Sequence, residues 1–165
     1  MSDRKWVVNA SPVILLGKVG HLDLLEVLCA DMVVPTAVET KVCAEPHRDA
    51  GQDWLRNQAR AYVRDVGLID PLITTWDLGI GESKVLTWAR EHPGYEAILD
   101  DRAARNCAIA LGIPVRGTLG VVLLAKREGL LARVQPVFVR LQESGLRIAP
   151  AVLDTALKLA GEKES

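Results

Sequence analysis

Four side chains that offer oxygen ligands stand where apolar or glycine-framed segments change character. Asn9 follows Trp6-Val7-Val8, Asp100 and Asp101 follow Ala97-Ile98-Leu99, and Glu82 opens a helical segment behind Gly79 and Gly81. Right-handed crossovers in a parallel sheet carry strand ends and helix starts to one edge, so these four are expected to meet. Clustered oxygen donors suit Mg²⁺ or Mn²⁺, which readily keep water in their coordination shell. An ion held this way can activate a water and neutralise charge on a phosphoryl group. Each residue also has a purely structural reading. Asp101 is a good N-cap for the helix that follows, Asp100 can simply be solvated, and Glu82 can answer a helix macrodipole.

The elements that must position them follow from periodicity. The stretch from Tyr95 to Gly120 reads as one βαβ unit: a strand over 97–99, then a helix burying Ala103, Ala104, Cys107, Ala108 and Leu111. Gly112 stops that helix, and Ile113-Pro114-Val115 starts the next strand. Upstream, a strand over 6–8 leads to a helix with Ser11 as its expected cap and Pro12 at its first position. Val13, Leu16 and Val19 pack this crossover, and a buried strand over 32–34 closes at Pro35. Thr36 to Cys43 is helical, with Val38 and Val42 as its inner stripe. A helix is expected around 53–59, an edge strand at Tyr62-Val63 and a helix over 82–91, with 65–81 the least regular stretch. Helices over 119–127, around Val134 to Leu141 and around Val152 to Leu157 complete the chain. Strands alternating with helices predict an α/β fold with a mostly parallel sheet covered on both faces.

At 165 residues, 49% hydrophobic and 25% charged, the chain reads as a single globular domain over 1–165. Its last helices, about 133–162, form a C-terminal extension. A net charge of −1 gives no global pull on polyanions, so any nucleic-acid site must be a local patch. Cys29, Cys43 and Cys107 are odd in number and lack metal spacing, as expected of thiols in a reducing compartment. Cys43 and His47 could share a metal only across Pro46, which interrupts the helix. Trp6, Trp54, Trp76 and Trp88 belong to core or interface. No signal peptide or membrane-length apolar run is present, which predicts a cytoplasmic protein without a membrane role.

The segments VVNASPVILLGKVGHLDLL, VVPTAVETKV, GIGESKVLTWA and ILDDRAARNCAIALGIPVRGTLGVVLLAK together resemble the PIN-domain family, in a toxin-like branch related to the VapC ribonucleases. The resemblance runs from Trp6 to about Gly129. It implies a three-layer α/β/α sandwich, Mg²⁺- or Mn²⁺-dependent cleavage of RNA, and a small antitoxin-like protein as partner. On that pattern Glu82 and Asp101, with Asp100 beside it, are catalytic and metal-ligating. Asn9 stands at the first acidic position and Lys41 where a helix glutamate is expected. Glu39 flanks the other side of the Val38/Val42 stripe and completes a Thr36-x-x-Glu39 capping box, so it is at most an alternative ligand. The Lys41 ammonium could take the cation's place by pairing with Asp101.

Arg102, Arg105 and Arg116 lie near the acidic edge, where they either contact RNA phosphates or form a solvated face paired with Asp100. Thr118 either binds phosphate through its hydroxyl or caps the next helix. Two functions follow: a metal-dependent endoribonuclease of toxin type, with a metal site that Asn9 and Lys41 could weaken, or a catalytically degenerate module that binds RNA or a protein. A phosphoryl-accepting receiver domain is set aside for want of an acceptor aspartate on a middle strand. Apolar faces on the last helices predict a homo-oligomer or a small partner.

Overall fold

The computed structural model describes residues 2–44, 46 and 48–164. The Cys43–His47 pairing therefore falls outside the described residues. Five strands, β1 (Lys5–Val8), β2 (Asp31–Pro35), β3 (Val63–Arg64), β4 (Tyr95–Ile98) and β5 (Val115–Arg116), form one sheet in the order β3-β2-β1-β4-β5. Every pairing is parallel. Trp6, Val7 and Val8 are buried on the central strand, as a sheet covered on both faces requires. The chain winds outward from β1 to β3, then returns to β4 on the opposite side. The switch point therefore lies between β1 and β4, where the carboxyl ends of open parallel sheets hold ligands.

Helices α1 (Ala10–Lys18), α2 (Asp23–Leu28), α3 (Thr36–Cys43) and α4 (Ala50–Arg56) pack the first two crossovers. A single turn, α5 (Pro71–Thr74), precedes α6 (Ile80–Glu91), which crosses β1, β2 and β4 and packs on α7 (Arg102–Ala110). On the other face α8 (Thr118–Arg127) meets α1 and α2, completing an α/β/α sandwich. The last two helices, α9 (Gln135–Glu143) and α10 (Pro150–Leu159), belong to the same core. Val134, Val137, Phe138 and Leu141 are buried, with Phe138 among the largest fully enclosed side chains.

Local starts and stops differ from the sequence reading in instructive ways. Helix α1 begins at Ala10 with Asn9 as N-cap, so Ser11 lies inside the first turn and is not the cap. The Thr36–Glu39 capping box does not form. Pro35 occupies the N-cap position, which makes Thr36 the first helical residue; its hydroxyl donates to Asp65 instead, at 3.3 Å. Strand β4 starts two residues earlier than expected, while the helix forecast at 53–59 runs over 50–56 with Asp49 as its cap. Gly112, at φ +70°, ends the turn after α7 in a conformation that glycine adopts without strain.

The C-terminal segment is fastened by one carboxylate. Glu162 accepts from Lys126 Nζ at 2.8 Å and from the backbone N–H groups of Val134 (2.7 Å) and Gln135 (3.0 Å). Burial pushes its pKa upward. Lys126 and the two N–H donors at the start of α9 outweigh that, holding the carboxyl at about 2.

Candidate functional site

Beside the switch point lies a cleft of about 440 Å³ lined by Asn9, Lys18, Lys41, Glu82, Asp100, Asp101 and, from the far end of the chain, Ser144 to Arg147. A larger cleft of about 560 Å³ is lined by Ser2 to Arg4, Val27, Leu28, Glu128 and Leu130. Its Arg4 and Glu128 pair with each other at 2.6 Å, and none of the oxygen donors at the ends of β1 and β4 lines it, so the chemistry belongs to the smaller cleft.

Asn9 leaves β1 with its backbone N–H donated to Ile98 at 2.9 Å, and its side chain is 3% exposed. Although it stands at the N-cap, its side chain makes no capping bond, and no protein donor reaches the buried Oδ1. The neighbouring helix permits this placement: a Cβ on Gly81 would stand 3.3 Å from that oxygen. Glu82, in the first turn of α6, likewise has a buried Oε2 with no protein donor. A Cβ on Gly79 would lie 2.5 Å from Oε2, so the two glycines fit the backbone around these oxygens. A buried acceptor left unpaired costs about 1–3 kcal/mol.

Asp100 is not the solvated member of its pair. It is half-buried and accepts from Ser11 Oγ (2.8 Å), Thr118 N (2.7 Å) and Thr118 Oγ1 (2.7 Å), tying α1 and α8 to the end of β4. Asp101 is exposed and caps α7, accepting from Ala104 N at 2.9 Å. The structure thus spends Thr118 on Asp100. It is fully buried, so neither phosphate binding nor a side-chain cap describes it.

Lys41 lines the cleft and, like Lys18, is exposed. Neither has an ion-pair partner among the described residues, so no Lys41–Asp101 pair forms. Glu39 points elsewhere: it pairs with Arg60 at 3.1 Å and does not line the cleft. Arg116 is also drawn away, pairing at 3.0 Å with Glu96, which accepts from Trp6 Nε1 as well. Arg102 and Arg105 make no ion pair with Asp100. They line an adjoining cavity of about 320 Å³. Arg147, unforeseen in the sequence, lines both cavities.

The donors test the fit of a divalent ion. Two buried oxygens without protein donors, beside Asp100, suit Mg²⁺ or Mn²⁺ in kind. They are thin in number, because among the described residues no three His, Cys, Asp or Glu side chains converge on one metal position. Charge adds to this: the carboxylates of Glu82, Asp100 and Asp101 share the cleft with Lys18, Lys41 and Arg147. The cysteines take no part. All three are free, and burial, with Asp31 and Glu26 nearby, pushes the Cys29 thiol up to about 12.

A parallel α/β/α sandwich that gathers acids and an amide beside its switch point has a nuclease-like fold. The chain belongs to the PIN domain family: the family model DUF3368, a PIN domain, matches residues 5–162. No curated protein matches the sequence. PIN domains generally use divalent metal ions. Among the described residues no helix is long and apolar enough to cross a membrane.

Proposed function

We propose that this PIN domain is a divalent-cation-dependent endoribonuclease of the toxin-like type whose cation site is weakened by charge. The observation that carries the reading is the pair of buried, undonated oxygens, Asn9 Oδ1 and Glu82 Oε2, in the cleft that also holds Asp100. Asn9 and Glu82 would hold Mg²⁺ or Mn²⁺, with Asp100 as a further oxygen donor already fixed by Ser11 and Thr118. The bound ion would supply a water of lowered pKa and neutralise charge on the phosphodiester. Asp101, exposed on the cleft lining, would accept a proton there, while Lys18 and Lys41 would offer ammonium groups to phosphate oxygens.

Lys41 also favours a second reading, a module that binds RNA or a protein without cutting, because an ammonium in the cleft opposes a dication. Mn²⁺ calorimetry and cleavage of a single-stranded RNA separate the two. For the enzyme, saturable binding and cleavage are both expected, and Glu82→Gln should lower each at least tenfold. Absence of binding at millimolar Mn²⁺, together with no cleavage, would leave the module. The toxin-type assignment brings a partner with it, a small antitoxin-like protein or a second copy covering the exposed Val139 and Leu159. A monomer by light scattering, with no peptide co-purifying from the native host, would remove that partner.

A further inference from the structure

The cleft does not end at Asp100. The adjoining cavity of about 320 Å³ shares Asp100, Leu146 and Arg147 with it, so the two form one continuous trough. The second cavity has a chemistry of its own. Arg102, Arg105 and Arg147 bring three guanidinium groups, and none has an ion-pair partner among the described residues. Apart from Asp100 and Asn106 the remaining wall is mostly apolar, with Leu146 and Ile148 half-buried and Ile109 and Val152 exposed at 69% and 51%. Gly117 makes room for the arginine, since a Cβ there would overlap the Arg105 guanidinium and stand 3.1 Å from Asp100 Oδ1.

Unpaired guanidinium groups beside an aliphatic wall match the two halves of a nucleotide, a phosphate to be forked and a base face to be covered. The cavity is small enough for one nucleotide and too confined for a paired helix. We propose that it is a subsite for the nucleotide neighbouring the scissile phosphodiester in a single-stranded RNA, with Arg147 as the positioning residue that bridges subsite and cleft. The inference rests on the ribonuclease reading for its choice of RNA. It adds a second site of contact beside the cleft and a role for the loop between α9 and α10.

The test is binding of a fluorescein-labelled single-stranded RNA decamer, by anisotropy, with EDTA present so that cleavage and cation affinity play no part. Arg147→Gln should weaken binding about tenfold and reduce the salt slope by about one phosphate contact. Arg147→Lys should keep the slope while losing part of the affinity, a pattern that a merely structural role would not give. Val152→Glu, at an exposed position, should also weaken binding several-fold, whereas Arg140→Gln on the exposed part of α9 should not. The same decamer in a duplex should bind at least tenfold less tightly. Binding by Arg147→Gln within twofold of the parent, equal affinity for the duplex, or no binding by the parent would each overturn the subsite. Metal-free binding that depends on Arg147, in a protein that cuts no RNA, would support the subsite and refute the nuclease.

Discussion

At the base of α9 the Glu162 carboxylate collects Lys126 and two backbone N–H groups, whereas in the cleft Glu82 keeps a buried oxygen that no protein donor reaches. Both are glutamates drawn partly out of water, and both lie near the start of a helix. Glu162 reaches across from another segment to satisfy the orphan donors of α9, and its pKa falls accordingly. Glu82 sits in the first turn of its own helix, with its side chain turned back over Gly79. The first carboxylate is satisfied by protein groups and holds the fold together. The second keeps one oxygen that no protein group reaches, the oxygen that the proposed cation would take.

The comparison can be broken first at its stable end. Glu162→Ala leaves two N–H groups of α9 without their acceptor and the Lys126 ammonium with only the Ala160 carbonyl, which should cost about 3 kcal/mol in urea unfolding. Its folded pKa is depressed, so its contribution is fully present above the unfolded carboxyl range. It should fade as pH falls from about 4.5 towards 2. Denaturation midpoints of the parent should therefore drop through this window, and the Glu162→Ala midpoints should drop less.

The next effect belongs to the cleft. Asn9→Asp with Lys41→Glu adds one negative charge and replaces a positive with a negative one. Unit charges about 4 Å apart interact by roughly 4 kcal/mol at an effective dielectric near 20, before desolvation is subtracted. Heavily discounted, that remainder predicts Mn²⁺ binding about a hundredfold tighter by calorimetry, more than either change alone. An unchanged affinity would mean that these two side chains do not share the ion's position.

The smallest effects sharpen the contrast between neighbours. Asp100→Asn puts an amide where two hydroxyls and an N–H now donate, and should cost about 1–2 kcal/mol by thermal unfolding. Asp101→Asn keeps a good cap and should change stability by only about a few tenths of a kcal/mol. If the two variants melt alike, the hydrogen bonds of Asp100 do not hold α1 and α8 as the geometry implies.

What could be read from the sequence was what is local or periodic. The βαβ unit around Asp100, the buried strands and the Val38/Val42 stripe follow from spacing alone, and Glu82 and Asp101 from their places at helix starts. Thr36 and Glu39 show where local logic stops: the right residues stand at the right spacing, but the helix begins one residue early and the box cannot close. Ser11 looked like a cap because nothing nearby reveals that its hydroxyl faces a carboxylate 89 positions away. Arg147 had no signal at all, because its place in the site depends on how the loop after α9 comes back to the cleft. Lys41 gained its position only from a family pattern.

The trough is assembled from segments that leave the ribosome far apart in time. Asn9 and Lys41 emerge early, Glu82 and Asp100 later, and Ser144 to Arg147 later still. The fastening by Glu162 comes after all of them. A nascent chain can therefore fold its sheet and hold its acidic edge while one wall of the trough is still unmade. Any grip on a strand by the subsite proposed above is thus delayed by the order of synthesis until the loop after α9 is in place.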